Sequence, residues 1–348
     1  MSGAARPGSP ERISLVTLGE PSGVGPDIAL DAYRRRGERG FAPFAVFADP
    51  AMLRARADRL GYDIPFAEIA APDEAPAVFA DRLPILPLVN RQDERPGRLD
   101  PSNALGTVEA IDRAAALVLD GRAGAVVTGP IDKKALYDAG FRHPGHTEYL
   151  ADLCERRLGG RFMPVMLLAG PDLSCVPVTI HVPLRDVAEL LTTELIVETG
   201  RIVADHYIRH FGIARPRLAV SGLNPHAGER GAIGSEDEAI IAPAVAALIE
   251  EGIEAFGPLP ADTMFHAEAR AGYDVALCMY HDQALIPAKA LAFDETVNVT
   301  LGLPLIRTSP DHGTAATLAG TGRARPASFM AALTLAERMV RRASAQVS

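Results

Sequence analysis

The chain has no tryptophan, and only 5% of its 348 residues are aromatic. Stacking platforms for single-stranded nucleic acid are therefore scarce. Cysteine is almost as rare. Cys154, Cys175 and Cys278 are odd in number and lack C-x-x-C spacing, which argues against a disulfide framework or a zinc ribbon. Reduced thiols are expected, with Cys175 and Cys278 as small core residues inside strand-like runs. No apolar run is long enough to span a bilayer, and residues 1–11 lack the apolar stretch of a secretory signal. Residues 1–12 are expected to be a flexible terminus, and the protein cytoplasmic. Positive charge is also in short supply: 35 Lys and Arg stand against 44 Asp and Glu, a net charge of −9. That balance argues against nucleic acid or an anionic membrane as a partner. An acidic chain that handles an anion must gather its few cations locally.

What is present is an alternation of short apolar runs and helical patterns. Strands are expected at 13–18, 44–48, 125–127, 163–168, 175–180, 217–223, 275–280 and 296–301. Helices are expected at 27–36, 52–60, 104–119, 131–139, 147–158, 186–210, 236–251, 283–292 and 327–345. Residues 61–101, rich in Pro, Ala and Asp, read as connections. Ser102 or Asn103 is the expected cap of the 104–119 helix, with Leu105, Val108, Ile111, Ala115 and Val118 as its apolar stripe. Alternating β and α predicts parallel strands with helices on the sheet faces. The length suits two lobes, with a site in the cleft between them.

Three histidines hold matching places in this pattern. His181 follows the run Ser174–Ile180, His226 follows Leu218–Pro225, and His281 follows Val275–Tyr280. Each lies at or just past the C-terminal end of a strand, where ligands gather in open α/β sheets. Neutral imidazole is the commonest side-chain ligand for a transition metal, and three such ligands leave a coordination position free for chemistry. The separations of 45 and 55 residues are not a local motif.

Two glycine-rich segments follow strands. Gly19–Asp27 opens the first helix but is not G-x-G-x-x-G, and a plain strand-to-helix turn explains it as well. Arg307–Ala316 runs on through Leu318-Ala319-Gly320-Thr321-Gly322, and its small residues, hydroxyls and expected helix start suit phosphate or ribose contacts. His146 and Thr147 begin a helix, as substrate contact and cap. Lys289 and Arg307 are candidate cations for a phosphate or carboxylate. Asn298 is unusual in mid-strand. Asp282 is a candidate ligand, a partner of a ligand, or a helix cap. His206 and His210 share a helix face without an acid between them and read as surface residues; His143 and His266 carry no evident role.

Together Gly19–Asp27, Val127–Pro130, Gly145–Glu148, His181–Leu184, Asn224–Glu229, Gly257–Thr263, Met279–Gln283 and Asn298–Ala315 resemble the 4-hydroxythreonine-4-phosphate dehydrogenase family. The resemblance runs over about residues 13–330. It implies a two-lobed isocitrate/isopropylmalate dehydrogenase-like α/β fold, mostly parallel sheet flanked by helices, with the active site in the interlobe cleft. The lobes are expected at roughly 13–130 plus 280–348, and 131–279. It implies a divalent metal (Zn2+, Mg2+ or Co2+) on His181, His226 and His281, and substrate contacts from His146, Thr147, Lys289, Asn298 and Arg307. It also implies NAD+ or NADP+ held by Asp311, His312, Gly313 and Thr314. Lys289 joins the three histidines as a catalytic candidate, and His146, Lys289 or a metal-bound water is the expected general base. The expected reaction oxidises 4-(phosphooxy)-L-threonine to a β-keto acid that decarboxylates to 3-amino-2-oxopropyl phosphate. The expected assembly is a homodimer with a shared active site. Related dehydrogenases of threonate or erythronate 4-phosphate, or of aromatic dihydrodiols, carry nearly the same motifs. A metal-dependent hydrolase or lyase is the alternative of another class.

Overall fold

Runs such as Ser14-Leu15-Val16-Thr17 are buried at every position, so neither face of the strand meets water. Parallel strands covered on both faces read this way. The computed structural model describes residues 12–347, so the expected flexible segment lies, up to residue 11, outside the described residues. The described residues form two compact units. One takes those up to 149 with 305–308 and those from 312 onward; the other takes 150–304 and 309–311. The changeovers fall near 149 and 304, later than the 130 and 280 expected from sequence.

The first unit holds β1 (Ser14–Thr17), β2 (Phe44–Ala48), β3 (Phe66–Glu68), β4 (Leu83–Pro87) and β5 (Ala125–Thr128), in the order β3-β4-β2-β1-β5 and all parallel. β3 and β4 fall in the proline-rich stretch read as connections. The helix Pro50–Leu60 starts on Asp49, whose carboxylate accepts from the Ala51 and Met52 N–H groups. The helix Ala104–Leu119 has the expected bounds but not the expected cap. Asp100 caps the preceding turn through the Ser102 N–H, while the Asn103 side-chain oxygen accepts from the Asp93 N–H at 2.8 Å. Its buried stripe is Ala104, Thr107, Ile111, Ala114 and Val118, and Leu105 points to solvent at 63% exposure.

The second unit holds β6 (Val165–Ala169), β7 (Ser174–Thr179), β8 (Arg217–Ser221), β9 (Glu254–Leu259), β10 (Val275–Tyr280) and β11 (Val297–Leu301), in the order β11-β6-β7-β10-β8-β9. β7, β10, β8 and β9 are parallel, and β6 runs against both its neighbours. The last strand, β12 (Ile306–Pro310), pairs parallel with β5 through residues 306–308. Leu168, Cys175, Ala219, Ala276 and Cys278 pack beneath the helix His281–Ala292 as one apolar core. All three cysteines are buried thiols. The fold is thus α/β, with a mostly parallel sheet flanked by helices.

Candidate functional site

β7, β10 and β8 are consecutive neighbours, and each of the three histidines lies past the C-terminal end of one of them. Thr179 of β7 is in register with Tyr280 of β10. His181 and His281 follow directly, with ring centroids 5.6 Å apart and planes inclined by 42°. Both line a cavity of about 220 Å3 with Thr179, Val182, Tyr280 and Asp282. The His281 Nδ1 lies 2.7 Å from Asp282 Oδ1. In the neutral ring an Nδ1–H donated to that carboxylate leaves Nε2 as the lone-pair nitrogen, the usual arrangement behind a metal-ligating histidine. Asp282 is therefore the imidazole's partner rather than a cap.

His226 is exposed and sits in the turn Pro225–Glu229, five residues beyond β8. The structure brings His181 and His281 together. Among the described residues it brings no three His, Cys, Asp or Glu side chains close enough to hold an ion. The donor chemistry of the pair fits a divalent metal, and the third imidazole stands apart from it here. A signal invisible in sequence marks the same places. Among the described residues six other than glycine have positive φ: His181 (51°), His226 (52°), Ala227, Glu229, Arg230 and Ala315. Such backbone costs on the order of 1–3 kcal/mol per residue and persists only where the surroundings impose it. Five of the six are His181, His226 or residues within four positions after His226.

Lys289, on the helix that His281 begins, pairs through Nζ with Asp311 Oδ2 at 2.8 Å. Asp311, expected beside the nucleotide, thus engages this lysine. Asn298 lies half-buried in β11, opposite Leu168.

The first unit carries the remaining candidates. Arg307 of β12 is buried, and its Nε and Nη2 donate to Thr128 Oγ1 at 3.0 and 2.7 Å. Burial lowers its pKa to about 10, so it stays a cation at neutral pH. His146 opens the helix His146–Leu158 and is buried, with no hydrogen-bond partner for Nε2 among the described residues. Burial first, and then the charge of Arg307, hold its pKa well below the ordinary value. A desolvated guanidinium beside a neutral imidazole with an orphaned nitrogen suits an anion. Thr147 is half-buried beside it. Thr128, which completes this group, was not singled out from sequence; its place at the end of an apolar strand was the available signal.

The two glycine-rich segments touch within this unit. The Val24 N–H donates to the Thr314 carbonyl at 2.9 Å, and a Cβ on Gly23 would meet that oxygen at 2.8 Å. His312 Nδ1 lies 2.9 Å from the Gly313 carbonyl, and space around Gly313 is open. The expected helix after Thr314 is only the 3-10 turn Ala316–Leu318, so no helix dipole points at a phosphate there. In the first segment the glycines serve packing: a Cβ on Gly25 would lie 1.8 Å from the Leu18 carbonyl oxygen.

The reading of His206 as a surface residue is overturned. It is 7% exposed, and its Nε2 accepts from the Gly302 N–H at 2.9 Å. Burial, then His210 nearby, lower its pKa to about 4. His266 caps a short helix through the Ala269 N–H, and His143 packs against both the Phe141 and Tyr149 rings, which also touch each other.

The family model for "Pyridoxal phosphate biosynthetic protein PdxA" matches residues 41–336. The 4-hydroxythreonine-4-phosphate dehydrogenase of Methylorubrum populi is 56% identical over 342 residues, 98% of each chain. That of Bradyrhizobium diazoefficiens is 56% identical over 333 residues, 93% of this chain and 96% of the relative. The crystal structure of a 4-hydroxythreonine-4-phosphate dehydrogenase from Klebsiella pneumoniae matches with a TM-score of 0.84 at 37% identity, covering 94% of this chain and 99% of that one. A terephthalate 1,2-cis-dihydrodiol dehydrogenase from Burkholderia xenovorans shares the fold at a TM-score of 0.64 and 24% identity, over 94% of this chain and 98% of that one.

Proposed function

Because the chain belongs to the PdxA family of pyridoxal phosphate biosynthetic proteins, we propose that it catalyses the reaction its relatives are named for, dehydrogenation of 4-(phosphooxy)-L-threonine. NAD+ or NADP+ accepts the hydride when bound. The β-keto acid that results loses CO2 to give 3-amino-2-oxopropyl phosphate. The observation that carries this reading is the His181 and His281 pair at the ends of two adjacent parallel strands, beside an open cavity. Identity of 56% over the full length supports the choice of substrate.

His181, His226 and His281 are the residues that would hold a divalent ion, Zn2+ before Mg2+ or Co2+. Such an ion supplies Lewis acidity to a secondary hydroxyl. The protein's own groups bind and orient. Asp282 fixes the His281 ring through Nδ1. Lys289, oriented by its contact with Asp311, meets an anionic group of the substrate. Arg307, aimed by Thr128, meets another, with His146 and Thr147 beside it. Asn298 adds a neutral contact. Asp311, His312, Gly313 and Thr314 are assigned to the nucleotide. His146 or Lys289 takes the hydroxyl proton.

A homodimer belongs to the same proposal. It is supported by large apolar side chains left in water in the second unit, Leu184 (69%), Ile286 (67%) and Phe293 (65%). Sedimentation at the monomer mass would remove it.

The deciding experiment is NAD(P)H formation from 4-(phosphooxy)-L-threonine, threonate 4-phosphate and an aromatic dihydrodiol, before and after chelation. The first substrate should be turned over, lose its rate on chelation and regain it with metal. Preference for either of the others would replace the substrate, and no hydride transfer with any would sink the dehydrogenase reading.

A further inference from the structure

Beneath the histidines of the second unit runs a chain of buried polar groups. Thr179 Oγ1, at the end of β7, donates to the Met279 carbonyl of β10 at 2.7 Å. Gln283 Oε1 accepts from the Met279 N–H at 2.7 Å and from Ser221 Oγ of β8 at 2.8 Å. Its Nε2 donates to the Gly222 carbonyl at 2.8 Å. Three strand ends, each leading to one histidine, are thereby tied by side chains.

The chain ends on Asp237, whose side chain is fully buried. Oδ1 accepts from the Leu223 N–H at 2.9 Å. Oδ2 accepts from the Asn224 N–H at 3.2 Å and from Asn224 Nδ2 at 2.9 Å. Each of these partners is a donor, so the site suits a carboxylate, which only accepts. No lysine or arginine among the described residues forms an ion pair with it in the structure's salt bridges. The approach is close: a Cβ on Gly222 would lie 2.6 Å from Asp237 Oδ1 and 2.9 Å from Ala227 Cα. Asp237 thus grips the two residues that precede Pro225-His226, where the backbone then takes four positive-φ residues other than glycine. A buried carboxylate is costly and persists where its hydrogen bonds hold something in place.

We infer that Asp237 is the positioning residue of His226: it imposes the left-handed turn that carries this imidazole and so determines how the third histidine reaches the His181 and His281 pair. The inference rests on the proposed three-histidine site and acts through it, with Asp237 touching no substrate.

The test is Co2+ titration of the metal-free full-length protein, read by visible absorption, with hydrogen exchange across residues 222–230. Asp237→Asn turns an N–H toward a donor. It should weaken Co2+ binding by about 10–100-fold, the usual cost of losing a group behind a ligand, and strip protection from the Leu223 and Asn224 amides. Tyr273→Phe is the control. It removes a buried hydrogen bond to the Met264 carbonyl elsewhere in the same unit and should leave Co2+ affinity unchanged. Should Asp237→Asn fail to fold, Asn224→Ala removes one of the three bonds and should give a smaller loss in the same direction. Equal Co2+ affinity in Asp237→Asn and wild type, or equal losses in Asp237→Asn and Tyr273→Phe, would overturn the inference while leaving the metal site standing. Absence of Co2+ binding by the wild type would overturn the site itself, and the inference with it.

Discussion

The two units hold their glycine-containing loops by opposite electrostatic means. In the first, Arg56 is fully buried and sits at the centre of an ionic clasp. It pairs with Asp27 and, at 2.7 Å, with Glu94, and donates to the Gly23 and Pro21 carbonyls at 3.1 and 2.8 Å. Arg59 adds a second cation to Glu94, and Asp27 also accepts from the Gly320 N–H. Burial alone would raise the Glu94 pKa, yet hydrogen bonds from Arg59 and Arg56 hold it below its usual range. At Asp27 burial outweighs Arg56 and the carboxyl is raised. In the second unit the work falls to Thr179, Gln283 and Ser221, all uncharged, and to one carboxylate surrounded by N–H donors. The lesson is that a formal ion pair tolerates loss of a partner worse than a neutral network does, because what remains is a buried charge rather than a buried dipole.

The largest break in this contrast should come from Arg56→Ala. It leaves Asp27 and part of Glu94 uncompensated, and the expected loss is about 3–5 kcal/mol in urea unfolding. A loss under about 1 kcal/mol would mean that water enters and solvates the clasp.

Acid should strain the second unit through His206. Its folded pKa of about 4 lies below the ordinary 6.5, so the unfolded chain takes up the proton first. The stability is full above pH 6.5 and is lost as pH falls toward 4, by about 3 kcal/mol. His146 in the first unit has the same sign. Segment-resolved hydrogen exchange separates the two, and His206→Gln should flatten the pH dependence of the second unit only.

The smallest effect should follow Gln283→Leu, which leaves the Met279 N–H, Ser221 hydroxyl and Gly222 carbonyl short of a partner. About 1–3 kcal/mol is expected, with exchange accelerated at the ends of β8 and β10. A cost as large as that of Arg56→Ala would erase the distinction between the two networks.

Much of the frame was legible in sequence because buried parallel strands write themselves as apolar runs. β2, β10 and β11 are such cases, and the helix Ala104–Leu119 follows from its period. β4 was not legible, since Leu83-Pro84-Ile85-Leu86-Pro87 carries two prolines that normally demote a strand. β12 was hidden by Arg307, Thr308 and Ser309, polar residues that nonetheless lie buried. The placing of His181, His226 and His281 after β7, β8 and β10 was legible from those same runs. Their backbone strain was not, because φ is imposed by neighbours that lie apart in sequence. Asp237 escaped notice for a related reason: its partners lie 13 and 14 residues away across a loop. His206 was misread because polar residues at i and i+4 look solvated until a distant N–H, here that of Gly302, claims one of them.

The buried thiols acquire a use from where they fall. Cys154, Cys175 and Cys278 all belong to the second unit. Burial pushes the Cys154 thiol up to about 11 and that of Cys278 well above its ordinary value, so neither offers much thiolate to an alkylating reagent in the closed state. Labelling must wait for the surrounding structure to open. In a chain without tryptophan, the rate of thiol alkylation is thus a native clock for the breathing of one half of the molecule, and the other half is silent to it.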